Sequence, residues 1–239
     1  MENFNFNIAQ PGVDTGTVAK SFINNVFSYM GLGLGISSVV AYLFGNDDSY
    51  MSLLMGPTGL SGLGYFVMFS PLLFVIGMSF GFQRLSGTAL LALFLVYSLI
   101  MGMSLSFIFH VYTKGSIFST FGVAAATFAG MAIMGYTTKT DLTKFGSLLM
   151  MALLGIIIAS VVNIFLGSSG MDFIISFLGV LIFTGLTAYD VQKLKRIGAE
   201  VEPGSEGAMK LSIMGALTLY LDFINLFLFL LRFFGGRKN

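Results

Sequence analysis

Read for its hydrophobic and polar positions, the chain is seven long apolar runs separated by short polar stretches. The runs predict helices at about Phe22 to Phe44, Leu63 to Phe82, Thr88 to His110, Ile117 to Gly135, Phe145 to Leu166, Phe173 to Asp190 and Leu211 to Phe234. A bilayer core about 30 Å thick needs roughly 20 apolar residues per helix, and each run is near that length. The runs are continuous, whereas strands of a membrane barrel alternate over about 10 residues, so strands are not expected. The fold class read from this pattern is an all-α integral membrane protein of seven transmembrane helices. One membrane domain covers residues 22–234, between a short N-terminal tail at 1–21 and a C-terminal tail at 235–239.

Composition sharpens that reading. Of 239 residues, 56% are hydrophobic and 10% charged, against about 25% charged in an ordinary soluble domain. So little polar surface implies that lipid is the solvent for most of the molecule. A net charge of +1 leaves no basic excess for nucleic acid. Cysteine is absent, which removes disulfides, thiolate nucleophiles and zinc–thiolate sites together. The single histidine, His110, cannot build a multi-histidine metal site and reads as interfacial. No tightly bound cofactor is expected. The 30 glycines and 15 methionines suit helices that approach closely. Gly31, Gly33 and Gly35 read as close-packing positions rather than a phosphate loop, since no Walker lysine follows them. Residues 1–20 carry Glu2, Asp14 and a Pro-Gly pair and do not read as a secretory signal.

Charge in the connections sets the orientation. The stretch Gly45 to Gly62 holds Asp47 and Asp48 and no basic residue, whereas Val191 to Lys210 holds Lys193, Lys195, Arg196 and Lys210. Counted on alternate sides, one face receives Lys20, Arg84, Lys139, Lys144 and those four. The other receives Lys114, Arg232, Arg237 and Lys238. The positive-inside rule then favours a cytoplasmic N-terminus. Pro71 in the second run is expected to kink its helix, or to serve as a hinge. Arg84 reads as an orientation anchor.

Two acids stand where hydrocarbon is expected. A carboxylate at the centre of a membrane helix costs about 2.5–3.5 kcal/mol on insertion scales and tends to mark an ion or proton path. Asp222 has apolar residues on both sides in Leu219-Tyr220-Leu221-Asp222-Phe223-Ile224-Asn225. Arg232 is ten residues on, about 15 Å along a helix, so it cannot neutralise Asp222 directly. Asp190 ends the sixth run just before Lys193, and reads either as an interfacial acid paired with lysine or as a partner for Asp222. The sixth and seventh helices are antiparallel neighbours, so contact between the acids is allowed. Two carboxyl groups sharing one site titrate in two coupled steps, which makes a pH sensor and a latch between helices. Carboxylates are also hard ligands suited to Ca²⁺. Asn225, three residues after Asp222, shares its face. Asn163 and Asn225 are expected to hydrogen-bond between helices, and Tyr189 and Tyr220 to pack or hydrogen-bond beside the acids. An intramembrane aspartic protease would also use two acids, but no second motif of the Gly-Leu-Gly-Asp kind surrounds Asp222.

The stretch Gly185-Leu186-Thr187-Ala188-Tyr189-Asp190-Val191-Gln192 resembles the hallmark of the Bax inhibitor-1 (transmembrane Bax inhibitor motif) family, in a bacterial form. Leu219-Tyr220-Leu221-Asp222-Phe223-Ile224-Asn225-Leu226-Phe227 resembles that family's last helix. Gly135-Tyr136-Thr137-Thr138-Lys139-Thr140-Asp141-Leu142, Ser160-Val161-Val162-Asn163-Ile164-Phe165 and Ser70-Pro71-Leu72 fit as well. The resemblance implies a central last helix wrapped by two three-helix layers, and a pH-sensitive calcium leak. It places an aspartate dyad on Asp190 and Asp222, with Ca²⁺ as the transported ion in transient contact with both. Bacterial relatives are also linked to a membrane-anchored quality-control protease. Where the family shows further charge in the second helix, this chain has only Arg84 at the helix end, and no role is carried over to it. The expected function is therefore a non-enzymatic, proton-regulated cation leak of the bacterial inner membrane. The alternative is a membrane interaction protein that binds or modulates such a protease.

Overall fold

A computed structural model describes residues 15–56 and 59–238. Its elements are α1 (Thr15–Asn46), α2 (Asp48–Leu54), β1 (Met55–Gly56), β2 (Gly59–Leu60), α3 (Gly62–Gly81), α4 (Gly87–Leu105), α5 (Ile108–Val111), α6 (Lys114–Thr137), α7 (Thr143–Leu166), α8 (Ser169–Glu200) and α9 (Glu206–Phe234). Seven of the helices are long and apolar enough to cross a membrane, α4 and α5 counting together as one span. The expected connection Gly45 to Gly62 contains secondary structure at its described residues. It holds the short helix α2, capped by the Asp47 carboxylate accepting from the Ser49 amide, and a two-residue antiparallel pairing of β1 with β2.

Local sequence explains where the helices start and stop. Helices α3, α4, α6, α8 and α9 each begin after a hydroxyl residue (Ser61, Ser86, Thr113, Ser168 and Ser205). In each case its side chain accepts from the amide three residues on. Such caps satisfy backbone donors that a helix leaves free at its N-terminus. At the tight turn between α7 and α8, Gly167 sits in the left-handed region with φ 61° and closes α7.

Hydropathy underestimates several lengths, and α1 already starts at Thr15 rather than Phe22. α8 runs to Glu200, ten residues past the expected end at Asp190, and α9 starts at Glu206 rather than Leu211. The polar extension of α8 carries Gln192, Lys195 and Arg196 beyond the apolar run and packs back on α1, where Gly198 meets the Phe22 ring. Tertiary contact thus holds in helix a stretch that composition marks as loop.

α9 is packed by α1, α4, α6 and α8, while α3 lies against α4 and α7 against α8. Accordingly 67% of the apolar stretch of α9 is buried, against 17% for α7. The centre of the bundle is aromatic. Phe94, Tyr97 and Tyr220 form a fully enclosed cluster with ring centroids 5.4–6.3 Å apart. Aromatic pairs of this geometry add stabilisation beyond their buried area. One stripe of α9 remains open to the side: Met214, Thr218, Leu221, Asn225 and Leu228 are all incompletely buried. Their spacing of three and four residues is that of a single helix face.

Of the three glycines read as packing positions, Gly33 alone meets a neighbouring helix, against Phe94 and Ser98. Gly31 and Gly35 face open space, which corrects the expectation for those two. Pro71 is buried within α3, which stays helical from Gly62 to Gly81. Arg84 lies exposed in the turn after α3, and His110 is exposed at the end of the α4–α5 span.

Candidate functional site

The α8–α9 hairpin builds the site. The two helices are antiparallel and in extensive contact. Close approach is possible because Gly179 lies under the Phe229 ring and Gly215 under the Leu194 side chain. That packing sets the rotation and axial shift of the pair. As a result the buried side chains of Asp190 and Asp222 meet at hydrogen-bonding range. A carboxylate has no donor, so a hydrogen bond between two carboxyl groups requires a proton on one of them. Asp222 Oδ2 is buried, and among the described residues no N–H or hydroxyl group donates to it. Asp190 also feels the charge of Lys193, three residues on along the same helix face.

The pair forms one wall of a cleft of about 600 Å³ between α7, α8 and α9, running beneath the open stripe of α9. Lys193, Tyr189, Thr218 and Asn225 share the wall, and Ile157 and Ile164 of α7 lie opposite. The cleft is thus apolar along most of its length, with its carboxyl groups at the α8–α9 loop end.

The other expected site residues separate. Tyr189 lines the cleft and stacks over Gly146 of α7. Asn225 lines it too, but donates to the Leu221 carbonyl of its own helix at 2.8 Å instead of bridging helices. Tyr220 points away from the acids. Its hydroxyl lies 2.6 Å from Ser37 Oγ, which donates to the Ser98 carbonyl at 2.7 Å. Two residues separate Tyr220 from Asp222, which is about 200° of rotation around a helix, so the opposite direction follows from spacing. Asn163 sits at the far end of the bundle. It donates to the Ser168 carbonyl and to Asp172, and accepts from the Ser168 amide, holding the α7–α8 turn. Asp172 is about 27 Å along α8 from Asp190, so Asn163 plays no part at the pair. Arg232, too far from Asp222, pairs with Asp172.

Three polar features had no clear signal in the hydrophobic pattern. Gln192 accepts from the Leu142 amide and donates to the Thr140 carbonyl, tying the α6–α7 loop to α8. Lys195 donates to the Tyr136 carbonyl and sits 4.6 Å from that ring's centroid. Arg196 pairs with Asp141 at 2.7 Å. Among the described residues no three His, Cys, Asp or Glu side chains converge. A cation at Asp190 and Asp222 would take two carboxyl groups and draw its remaining ligands from carbonyls or water, since Ca²⁺ takes 6–8 oxygens.

Fold and site together define a multi-pass helical membrane protein with a paired-carboxyl cleft among its last three helices. The family described as "Inhibitor of apoptosis-promoting Bax1" matches residues 19–239, and the chain belongs to it. An uncharacterized protein of Borreliella burgdorferi is 46% identical over 233 residues, covering 93% of this chain and 94% of the relative. The inner membrane protein YbhL of Escherichia coli K12 is 45% identical over 221 residues, covering 92% and 93%. The uncharacterized protein RP147 of Rickettsia prowazekii is 40% identical over 220 residues, covering 92% and 91%.

Proposed function

We propose that the protein is a passive, proton-regulated cation leak of the bacterial inner membrane, with Ca²⁺ as its main ion. Asp190 and Asp222 act as sensor and latch. The observation that carries this reading is the contact of two buried carboxyl groups on adjacent helices, with no cationic side chain among the described residues bonded to Asp222. With one proton shared, the pair ties α8 to α9. With that proton lost, two carboxylates face each other and repel, and the contact favours separation or capture of a cation. The family and the inner-membrane relative support the membrane setting. The basic residues at the α8–α9 end support placing that end in the cytoplasm.

The test is calcium entry into liposomes carrying the purified protein, followed against pH. Asp222→Asn keeps the shape of the carboxyl group but removes its titration, so its flux should lose most of the wild-type dependence on pH. Wild-type flux and profile in Asp222→Asn would exclude the dyad mechanism. Absence of flux from wild-type protein, with a stable membrane protease recovered from native membranes, would favour the interaction-protein alternative.

A further inference from the structure

We propose that the cleft between α7, α8 and α9 binds an aminophospholipid of the cytoplasmic leaflet, with its ammonium at the Asp190–Asp222 pair and its phosphate at Lys193. Three observations converge on this class of ligand. First, the Asp190 and Asp222 carboxyl groups lie together on the wall of the cleft, and their oxygens are acceptors for a primary ammonium with its three N–H groups. Second, Lys193 lines the same cleft, is exposed and carries the opposite charge. It stands about 4.5 Å from Asp190 along the helix axis, comparable to the reach between the ammonium and phosphate of an ethanolamine headgroup. An anion alone would satisfy Lys193 and repel the acids, and a cation alone would do the reverse. A zwitterion with both charges one helical turn apart suits the wall as it stands.

Third, the rest of the cleft is built for a chain. From Met150 to Ile164 its α7 wall extends about 21 Å, more than half of a hydrocarbon core about 30 Å thick. That wall is apolar apart from Ser160. The cleft opens along the incompletely buried stripe of α9, so a lipid enters sideways from the bilayer without crossing the aqueous phase. The carboxyl end of the cleft lies toward the basic α8–α9 loop, about 15 Å along α8 from its end at Glu200, so the headgroup is drawn in from that side of the bilayer. Binding here uses the same acid pair as the leak reading but requires no ion movement, so the two are tested separately.

The experiment is native mass spectrometry of the purified protein with phosphatidylethanolamine, phosphatidylglycerol and phosphatidylcholine of identical chains. Phosphatidylethanolamine should be retained at least about tenfold over the other two, as expected for one charge-assisted hydrogen bond gained. Lys193→Met should reduce that retention. Thr218→Trp, on the open stripe and outside the acid pair, should abolish it by filling the cleft. Neither variant replaces a member of the acid pair, so the test stands even if Asp222→Asn does not fold. Equal retention of the three lipids would overturn the proposal, as would unchanged retention in Lys193→Met and Thr218→Trp. Displacement of the lipid by tail-free glycerophosphoethanolamine at equal concentration would overturn the assignment to a membrane lipid. No ion gradient is involved, so any of these results leaves the leak reading to its own assay.

Discussion

A carboxyl group at the edge of this protein and one inside it face different physics. Asp141 is exposed at the α6–α7 turn. It accepts from the Thr143 hydroxyl at 2.6 Å, from the Thr143 amide at 2.9 Å and from Arg196 at 2.7 Å. These bonds hold its carboxyl well below the usual carboxylate range, the Thr143 hydroxyl contributing most and Arg196 next. A lowered native value means the stabilisation is fully present above the unfolded value, about 3.9. It is lost as pH falls through the native one. Asp141→Asn should therefore lower the thermal midpoint slightly at neutral pH, and its difference from wild type should shrink on acidification. The effect is small because the pair is solvated. Thermal unfolding in detergent across pH reads it, and a difference that grew in acid would contradict the assignment. Asp222, by contrast, was conspicuous from its apolar flanks alone. Tyr220 points to Ser37 rather than to the acids because residues two apart on a helix do not share a face. Lys193 was legible as a neighbour of Asp190, but only the fold puts it on the wall of a cleft with Asp222.

At the scale of elements, the contacts between helix backbones are set by small residues. A side chain at Gly135 of α6 would overlap the backbone carbonyl of Ala188 in α8, two residues before Asp190. That oxygen cannot turn aside as a side chain can, so α6 must move off α8. Gly135→Ala should destabilise by about 1–3 kcal/mol, the usual cost of overpacking, and should disturb the acid pair. Gly35 of α1 offers the opposite case. A Cβ there meets nothing within 4 Å, so Gly35→Ala should stabilise by about 0.5–1 kcal/mol through reduced backbone freedom. Unfolding of the two variants side by side checks both signs. If they shift stability equally, the distinction between contact and open glycines fails. Composition marks glycine as frequent in this chain, but it does not say which glycines lie at a crossing. That depends on the neighbouring helix. The same limit explains the ends of α8 and α9, whose polar turns remain helical because they pack on α1 and on each other.

At the scale of the whole molecule, seven spans place the α8–α9 loop and the N-terminus of α6 on opposite sides of the membrane. The native chain has no cysteine, so single cysteines report cleanly. Glu202→Cys should be labelled by an impermeant thiol reagent only after the inner face is opened, and Lys114→Cys should be labelled in intact cells. Labelling of both from the same side would exclude the seven-span arrangement. Hydropathy settled the number of helices long and apolar enough to cross a membrane and, among the described residues, the absence of a large sheet. The reason is that each residue's preference for lipid or water is local and sums along the chain. The meeting of Asp190 with Asp222, the open stripe of α9 and the removal of Asn163 and Tyr220 from the pair were decided by tertiary structure. A shift of one residue turns a helix face by about 100° and moves it about 1.5 Å. Only the packing of Gly179 under Phe229, and of Gly215 under Leu194, selects one rotation and one shift from the many that the same hydrophobic pattern permits.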